Sequence, residues 1–306
     1  MLADVHQHLW AEELIEALAA RTDPPRVRRV DGAWMLEVPG EASSTLPRDD
    51  VHERGAEARR SGLGLVCVAL SSLLGVEGLP REEAEPLIEA HERGVRAAGG
   101  PFRHWAAVPL AHGGDGADVD ATLDRGAVGL CLPAGALAGP GSVERCGPLL
   151  ERLERRRAPL FVHPGPSPWQ PALPEAGPRW WPALAGYVPA MHRAWHAWIA
   201  AGRRNHPRLR VVFALLAGLA PLHAARLEAR GGPAGAARDP GLFYDTSSYG
   251  EAAPIDAMRG QVGAAQLVYG SDRPVAPPPD GRLGVQAAIA ARNASELMAP
   301  LPAVTA

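Results

Sequence analysis

The sequence predicts a single (β/α)₈ barrel, and three observations support this prediction. Eight short apolar runs have the composition of strands that are buried on both faces of a parallel sheet. Most of these runs are separated by segments with apolar residues at helical spacing. The length of 306 residues suits one large α/β barrel, although length alone also allows two ordinary domains. A doubly wound sheet of six or seven strands is the alternative, because short apolar runs are weak strand signals.

The predicted strands and helices alternate along the chain. The eight strands are expected at residues 3–10, 63–70, 104–109, 128–132, 158–163, 209–213, 242–245 and 266–269. Helical spacing is clearest at residues 12–20, 50–61, 82–98, 119–125 and 148–157. In a barrel of this kind, the active site lies at the C-terminal ends of the strands.

Two longer connections interrupt this alternation within one predicted domain, residues 1–306. The first is an insertion at residues 21–50, where the polar stretch 26–47 predicts a small hairpin or loop with Trp34 as a pocket wall. The second is a lid at residues 164–208, which contains five of the eight tryptophans. These tryptophans either offer aromatic surface to a substrate or only pack the lid down.

Composition limits the classes of function. The net charge of −3 favours neither a nucleic-acid partner nor a membrane surface, and no apolar run reaches eighteen residues. Three scattered cysteines suit a reducing cytoplasm, and we expect a soluble protein without a signal peptide. All 31 basic residues are arginine, which excludes a Schiff-base lysine, a lysine general base and a carbamylated lysine between two metals.

Polar residues at three strand ends predict a metal site. His6 and His8 are two apart and therefore share a face of the first strand. His163 ends the fifth strand, and Asp272 follows the eighth. Three imidazoles and a carboxylate at one end of a barrel predict a site for one divalent ion, for which Zn²⁺ is favoured and Mn²⁺ or Fe²⁺ suits nearly as well. Each motif alone is weak, since His6 and His8 could also be a buried, hydrogen-bonded pair.

Four motifs and the last helix carry a resemblance to a known family. They are Asp4-Val5-His6-Gln7-His8, Phe161-Val162-His163-Pro164, Tyr244-Asp245-Thr246-Ser247, Gly270-Ser271-Asp272-Arg273-Pro274 and residues 291–297. Together they resemble the amidohydrolase superfamily, in the branch of aminocarboxymuconate-semialdehyde decarboxylase and related hydrolases. The resemblance implies a barrel with one metal ion, His6, His8 and His163 as ligands, and Asp272 as a fourth ligand or proton carrier.

One position departs from the pattern of that branch. Its sixth strand usually ends in Ser-His-x-Gly-Gly, and this histidine assists the chemistry. Here the stretch reads Ala214-Leu215-Leu216-Ala217-Gly218, and a leucine can neither polarise a carbonyl nor transfer a proton. Asp272 would then act alone as base, or His192 or His196 would reach in from the lid. A third outcome is loss of turnover.

Several further residues are candidates for substrate contacts. Arg273 could hold a substrate carboxylate or pair with a neighbouring acid. Ser247 could line the pocket or serve turn chemistry. His192 and His196 share a helix face, but without an intervening Glu this spacing is a weak zinc signal and favours surface or packing residues. The aromatic candidates are Trp181 and Trp195.

These observations predict a mononuclear metal-dependent hydrolase with Asp272 as its catalytic base. The alternatives are a non-oxidative decarboxylase (a carboxy-lyase) that uses the same site, and a metal-binding homologue without turnover because Leu215 replaces the histidine. The expected substrate is a small, planar or carboxylated organic molecule. A homodimer is the commonest assembly for such chains, and the oligomeric state stays open.

Overall fold

The computed structural model describes residues 2–47, 50–170, 177–178, 180–249, 252–275 and 285–298. The strands in these ranges are β1 (Leu2–Gln7), β2 (Arg26–Val30), β3 (Ala33–Glu37), β4 (Ser44–Thr45), β5 (Leu63–Val68), β6 (Phe102–His104), β7 (Leu130–Pro133), β8 (Leu160–His163), β9 (Val211–Phe213), β10 (Leu242–Asp245) and β11 (Leu267–Val268). Each of the eight predicted strands overlaps one of these.

Helices alternate with the strands. They are α1 (Glu12–Ala19), α2 (Val51–Arg60), α3 (Arg81–Ala98), α4 (Gly116–Asp124), α5 (Pro140–Arg145), α6 (Gly147–Arg156), α7 (Val188–Ala197), α8 (Arg203–Asn205), α9 (Ala224–Glu228), α10 (Ala252–Val262) and α11 (Val285–Met298). Short 3₁₀ turns cover Ser72–Leu74, Val76–Gly78, Ala134–Leu137, Ala236–Arg238 and Ala264–Gln266, and the segment Leu215–His223 begins with left-handed backbone. In the described ranges, no helix combines the length and the apolar character needed to cross a membrane.

The fold is mixed α/β and contains two parallel sheets. One has the order β1-β5-β6 and the other has the order β11-β10-β9-β8-β7. Neighbours in both sheets run parallel, so the intervening segments must cross back over the sheet. Their strands read as nearly continuous apolar runs because both faces are covered.

Hydrogen bonds also join the two sheets at both edges. Between β6 and β7, Cys131 N donates to Ala106 O at 2.8 Å. Between β1 and the chain after β11, Val5 N donates to Tyr269 O at 2.9 Å and His8 N donates to Arg273 O at 2.7 Å. Among the described residues these links do not form a continuous ladder, and the strands remain two sheets that meet at both edges.

The third strand of the predicted series begins earlier than expected. The prediction placed it at 104–109, whereas β6 is Phe102–His104. Residues 105–108 are buried, but their pairing with β7 is limited to a single bridge at Ala106. Apolar burial therefore continues past the point where the regular ladder ends.

The region predicted as a hairpin or loop contains a three-stranded antiparallel sheet with the order β2-β3-β4. Its first turn is Asp31-Gly32, and both residues have positive φ, 48° and 80°. Such two-residue turns favour Asp-Gly because their twist matches that of the flanking strands. Trp34 and Trp10 line a cavity of about 610 Å³ between this sheet, α1 and α2.

The described part of the predicted lid is mainly helical. Residues 171–176 and Arg179 lie outside the described residues. From Pro182 to Asn205 the backbone is continuously helical, with π-helical turns at Pro182–Tyr187 and Trp198–Gly202 on either side of α7. Trp195 and Trp198 are fully buried, whereas Trp180 and Trp181 are exposed.

An aromatic layer lies in the core beneath the strand ends. Trp105 is fully buried and its ring stacks on Phe161 with centroids 5.2 Å apart. Its indole Nε1 donates to Val5 O at 2.8 Å, which satisfies the one polar atom of the side chain. The Phe161 ring in turn meets the ring of His6 edge-on at 5.0 Å. Phe161 therefore packs against the His6 ring from the core side.

Gly129 allows this layer to pack closely. A Cβ at this position would lie 2.3 Å from Pro159 O and 2.5 Å from the Trp105 ring. We expect Gly129→Ala to destabilise the protein by about 1–3 kcal/mol, because the backbone and the indole would have to shift. The measurement is the urea unfolding midpoint. Gly141→Ala in α5 is the control, since a Cβ there meets nothing within 4 Å. Equal midpoints for the two variants would contradict the packing argument.

Candidate metal centre

Three histidines converge at the C-terminal ends of β1 and β8. His6 lies in β1, His8 is the first residue after β1, and His163 is the last residue of β8. Each is at most 3 % exposed. The ring centroids are 4.9–5.1 Å apart, and each pair of rings is close to perpendicular, at 81–89°. The structure therefore brings together the three residues that the sequence predicted as metal ligands.

Each imidazole is held by a hydrogen bond from its Nδ1 atom. His6 Nδ1 donates to Asp245 Oδ2 at 2.8 Å, His8 Nδ1 donates to Ala69 O at 2.9 Å, and His163 Nδ1 donates to Pro164 O at 2.7 Å. A second partner of this kind fixes the tautomer and orientation of a metal-binding histidine. All three Nε2 atoms are thereby left to act as ligands.

The distance between two of these nitrogens is informative. His6 Nε2 and His8 Nε2 are 3.3 Å apart. With both Nδ1 atoms carrying a proton, two neutral rings would direct lone pairs at each other, so a shared proton or metal ion must hold them. Two ligands at about 2.0–2.1 Å from a tetrahedral Zn²⁺ ion lie about 3.3–3.4 Å apart. The observed spacing fits a metal ion.

Asp272 lies beside the same two nitrogens. Its Oδ1 is 3.5 Å from His6 Nε2 and 3.4 Å from His8 Nε2. Its Oδ2 accepts a hydrogen bond from Ser248 Oγ at 3.1 Å, and its backbone N donates to His6 O at 2.9 Å. Asp272 has a left-handed backbone with φ 54°, which aspartate tolerates better than most residues. The carboxylate is thus fixed at the edge of the histidine group.

The charges of the site shift the pKa values of its members. Burial acts to lower the pKa of His6, but the charges of Asp245 and Asp272 outweigh it and raise that pKa to about 9. Burial and the neighbouring His6 and His8 hold the pKa of His163 well below its ordinary value. Although burial acts to raise it, the pKa of Asp272 is lowered by the charge of His6 and by His8. The metal-free site thus combines a protonated His6, a neutral His163 and an ionised Asp272 at neutral pH.

The donor set suits a divalent transition metal. Among the described residues, only His6, His8 and His163 bring three ligand atoms within 4.8 Å of one another. Asp272 lies at the His6–His8 edge, outside that set of three. This position is compatible with both roles expected for it, a fourth ligand and a proton carrier.

Asp245 is the site residue that the sequence argument missed. It is fully buried and, besides His6, it accepts from Ser247 N at 2.9 Å, from Ser247 Oγ and from Leu215 N at 3.2 Å. A signal was present, since a carboxylate at the end of a barrel strand is typical of site residues. Ser247 was predicted to line the pocket or to serve turn chemistry. Its hydroxyl donates to Asp245, and a contact with substrate stays a prediction.

Leu215 begins a segment with unusual backbone. Residues 215–219 all have positive φ, between 49° and 62°, although only Gly218 is a glycine. The Leu215 amide donates to both Asp245 Oδ1 and Ser247 Oγ. The Leu215 backbone therefore helps to hold the Asp245 carboxylate, while the Leu215 side chain adds only apolar surface.

Arg273 is directed away from the histidines. Its Nη1 is 2.5 Å from Glu57 Oε2 of α2, and it lines a small cavity with Asp4 and Tyr269. Of the two roles predicted for Arg273, the structure shows the pairing with a neighbouring acid, and the contact with a substrate carboxylate stays a prediction. The reason is the length of the side chain, which reaches α2 from the strand end.

The lid residues predicted as substrate contacts have different surroundings in the structure. Trp195 is fully buried and donates from Nε1 to Tyr244 Oη at 3.1 Å, so it packs the lid, and its role at the substrate stays a prediction. His192 and His196 contact each other, and within the described residues no hydrogen bond or ring contact joins them to the metal centre. Trp181 is exposed, and its role stays a prediction.

Comparisons with known proteins locate this fold. No protein-family model matches the chain, and no curated protein matches it either. A solved structure of amidohydrolase II matches with a TM-score of 0.70 and 18% identity, covering 97% of this chain and 99% of that one. A 2,6-dihydroxybenzoate decarboxylase from Rhizobium matches with a TM-score of 0.67 and 16% identity, covering 97% and 98%.

The chain shares the fold of amidohydrolase-type enzymes. A third match is 5-carboxyvanillate decarboxylase from Novosphingobium aromaticivorans, complexed with manganese and 4-hydroxy-3-methoxy-5-nitrobenzoic acid. It has a TM-score of 0.60 and 16% identity, and it covers 82% of this chain and 74% of that one. At such identities the likeness establishes the fold alone. The resemblance to amidohydrolases and related decarboxylases is confirmed at that level.

The raised pKa of His6 gives a testable property of the histidine site. At pH 8, below the pKa of about 9, His6 carries a proton that a metal ion must displace. We expect Zn²⁺ binding to metal-free protein at pH 8 to release about one proton from His6. Asp245→Asn should release less, because it removes a charge that raises this pKa. Titration calorimetry in buffers of different ionisation enthalpy measures the release. The same release from both proteins would contradict the electrostatic account.

Proposed function

We propose that the chain is a metal-dependent enzyme of the amidohydrolase type that acts on a small organic molecule. One barrel domain would span residues 1–306, with an insertion at 21–50 and a lid at 164–208. The hydrogen bonds that join the two sheets at both edges support a closed eight-stranded ring. The observation that carries the proposal is the 3.3 Å spacing of His6 and His8 Nε2, with the Nδ1 atoms of His6, His8 and His163 all engaged elsewhere.

Hydrolysis is the reaction that the residues support best. A divalent ion at this centre would lower the pKa of a coordinated water molecule and polarise a carbonyl group. Asp272 would supply the base. Its lowered pKa keeps the carboxylate ionised at neutral pH but also makes it a weak base, so this role rests on its position. Ser248 engages Oδ2, which leaves Oδ1 beside His6 and His8 to accept the proton. The chain therefore provides a proton acceptor where water would be activated.

Decarboxylation is the second candidate, and the structural neighbours favour it. Two of the matches described above are decarboxylases, of 2,6-dihydroxybenzoate and of 5-carboxyvanillate. In this reaction a carbon–carbon bond breaks, CO₂ leaves, and the remaining carbon gains a proton. Asp272 would have to deliver that proton, but its lowered pKa opposes this role. Arg273 is paired with Glu57, and its contact with a substrate carboxylate stays a prediction.

A third candidate is a metal-binding homologue without turnover. Leu215 supports it, because this side chain replaces the histidine expected at the sixth strand end. Among the described residues, His192 and His196 do not reach the centre to compensate. Ligand binding without any product would distinguish this candidate from both enzymes.

Zn²⁺ is our proposal for the ion, because three imidazoles are ligands that this metal favours. The manganese in the 5-carboxyvanillate decarboxylase makes Mn²⁺ the second candidate. We also propose a cytoplasmic location, since Cys67, Cys131 and Cys146 are free and buried thiols.

The test compares reconstituted wild type with Asp272→Asn on panels of esters, lactones, amides and aromatic carboxylic acids. We expect wild type to hydrolyse a member of the panels in ¹⁸O-labelled water with one ¹⁸O in the product, because water supplies the new oxygen. Asp272→Asn should lower kcat by roughly 10²–10⁴-fold, the usual contribution of a general base. Asp120→Asn, at a half-buried carboxylate of α4 that pairs with Arg152 and Arg156 outside the histidine site, is the matched control.

The products decide between the candidates. Release of CO₂ without ¹⁸O incorporation would overturn hydrolysis in favour of decarboxylation. Tight binding of a panel member with no product would favour the third candidate. An Asp272→Asn variant with wild-type kcat would contradict the role of Asp272 as base.

A further inference from the structure

A second group of imidazoles lies on the lid, away from the metal centre. His192 and His196 are one turn apart on α7, with ring centroids 4.5 Å apart. His223, at the end of the segment Leu215–His223, faces the His192 ring at 5.3 Å and 80°. Two segments that are distant in sequence therefore bring three metal-ligating side chains to one surface.

The His196 ring is already oriented for a ligand role. Its Nδ1 donates to His192 O at 2.8 Å, which leaves Nε2 with a lone pair. The ring also packs edge-on against the buried Trp195 ring at 4.9 Å. Two histidines four residues apart on one helix face are a known zinc-binding arrangement. The hydrogen bond and the packing already restrict the His196 ring, so binding a metal ion would cost less side-chain entropy.

The surroundings of the pair admit an ion from solvent. The rings of His192 and His196 line an open groove of about 590 Å³, together with Val188, Pro189, Arg193 and Gly218. Among the described residues, no carboxylate lines this groove, which disfavours Ca²⁺ and Mg²⁺ and favours an ion that prefers nitrogen ligands. The charge of Arg193 opposes any cation, so the affinity should be modest.

The two segments are also packed tightly together. A Cβ on Gly218 would lie 2.3 Å from Val188 O and 3.1 Å from His192 N, so the backbones of α7 and of the segment after β9 are in direct contact. His223 is exposed, and its side chain can turn without displacing core residues. In the structure only the centre of His6, His8 and His163 has three ligand atoms within 4.8 Å among the described residues. The lid group thus offers an oriented His196 ring, the His192 ring beside it, and a His223 ring that would have to rotate to complete the set.

We propose that His192, His196 and His223 form a second binding site for a divalent transition-metal ion of the Zn²⁺ or Cu²⁺ class. The ion would join α7 to the segment that begins at Leu215. This site is independent of the proposed reaction, because none of its ligands belongs to the metal centre.

The test uses the untagged full chain and Zn²⁺ alone as the probe. His163→Ala first weakens the main centre, and Zn²⁺ binding to this variant is then measured by equilibrium dialysis and elemental analysis. We expect about one ion per chain in this background, with a micromolar dissociation constant. Adding His192→Ala or His196→Ala should weaken binding roughly tenfold or more, because each removes one ligand of the site. His223→Ala should weaken it as well.

The control is His112→Ala, which removes an exposed histidine elsewhere on the surface. It should leave the dissociation constant unchanged. If His163→Ala does not fold, the same series is made in wild type, where about two ions should fall to about one. Zn²⁺ binding that is unchanged in a His192→Ala/His196→Ala double variant would overturn the proposal, as would no second ion in wild type at millimolar Zn²⁺.

Discussion

The hydrogen bond from His6 Nδ1 to Asp245 Oδ2 is the interaction on which the rest of the site depends. At 2.8 Å between two fully buried groups, it sets the tautomer and the orientation of the first imidazole. The same carboxylate also accepts from Leu215 N and from Ser247. One buried charge therefore ties together the ends of β1, β9 and β10. Burying this carboxylate is tolerable because hydrogen-bond donors surround it.

Parallel pairing explains why these groups meet. Strands that run in the same direction present their C-terminal ends at one edge, so residues far apart in sequence become neighbours. The links between the two sheets matter for the same reason, because the chain after β11 pairs with His6 and His8 through backbone hydrogen bonds. These bonds position Asp272 without help from its side chain. Below this level, Trp105 and Phe161 fill the interior and limit how far the imidazoles can tilt.

The sequence was informative where a pattern follows from backbone geometry. Alternation placed His6 and His8 on one face, and apolar runs located the eight strands of the two parallel sheets. It was less informative about side-chain direction. Arg273 reaches Glu57, more than two hundred residues away in sequence, and Trp195 packs into the core, because tertiary neighbours decide where a long or large side chain points. The left-handed run at residues 215–219 was equally hidden, since leucine and alanine give no local signal for positive φ.

The central claim is that a metal ion, and not only a shared proton, holds His6 Nε2 and His8 Nε2 at 3.3 Å. Anomalous diffraction at the zinc edge, from crystals of the full chain grown with Zn²⁺, tests this most directly. The account predicts a strong peak within about 2.0–2.2 Å of the Nε2 atoms of His6, His8 and His163. Well-ordered imidazoles in the same arrangement with no anomalous peak between them, at saturating Zn²⁺, would contradict it.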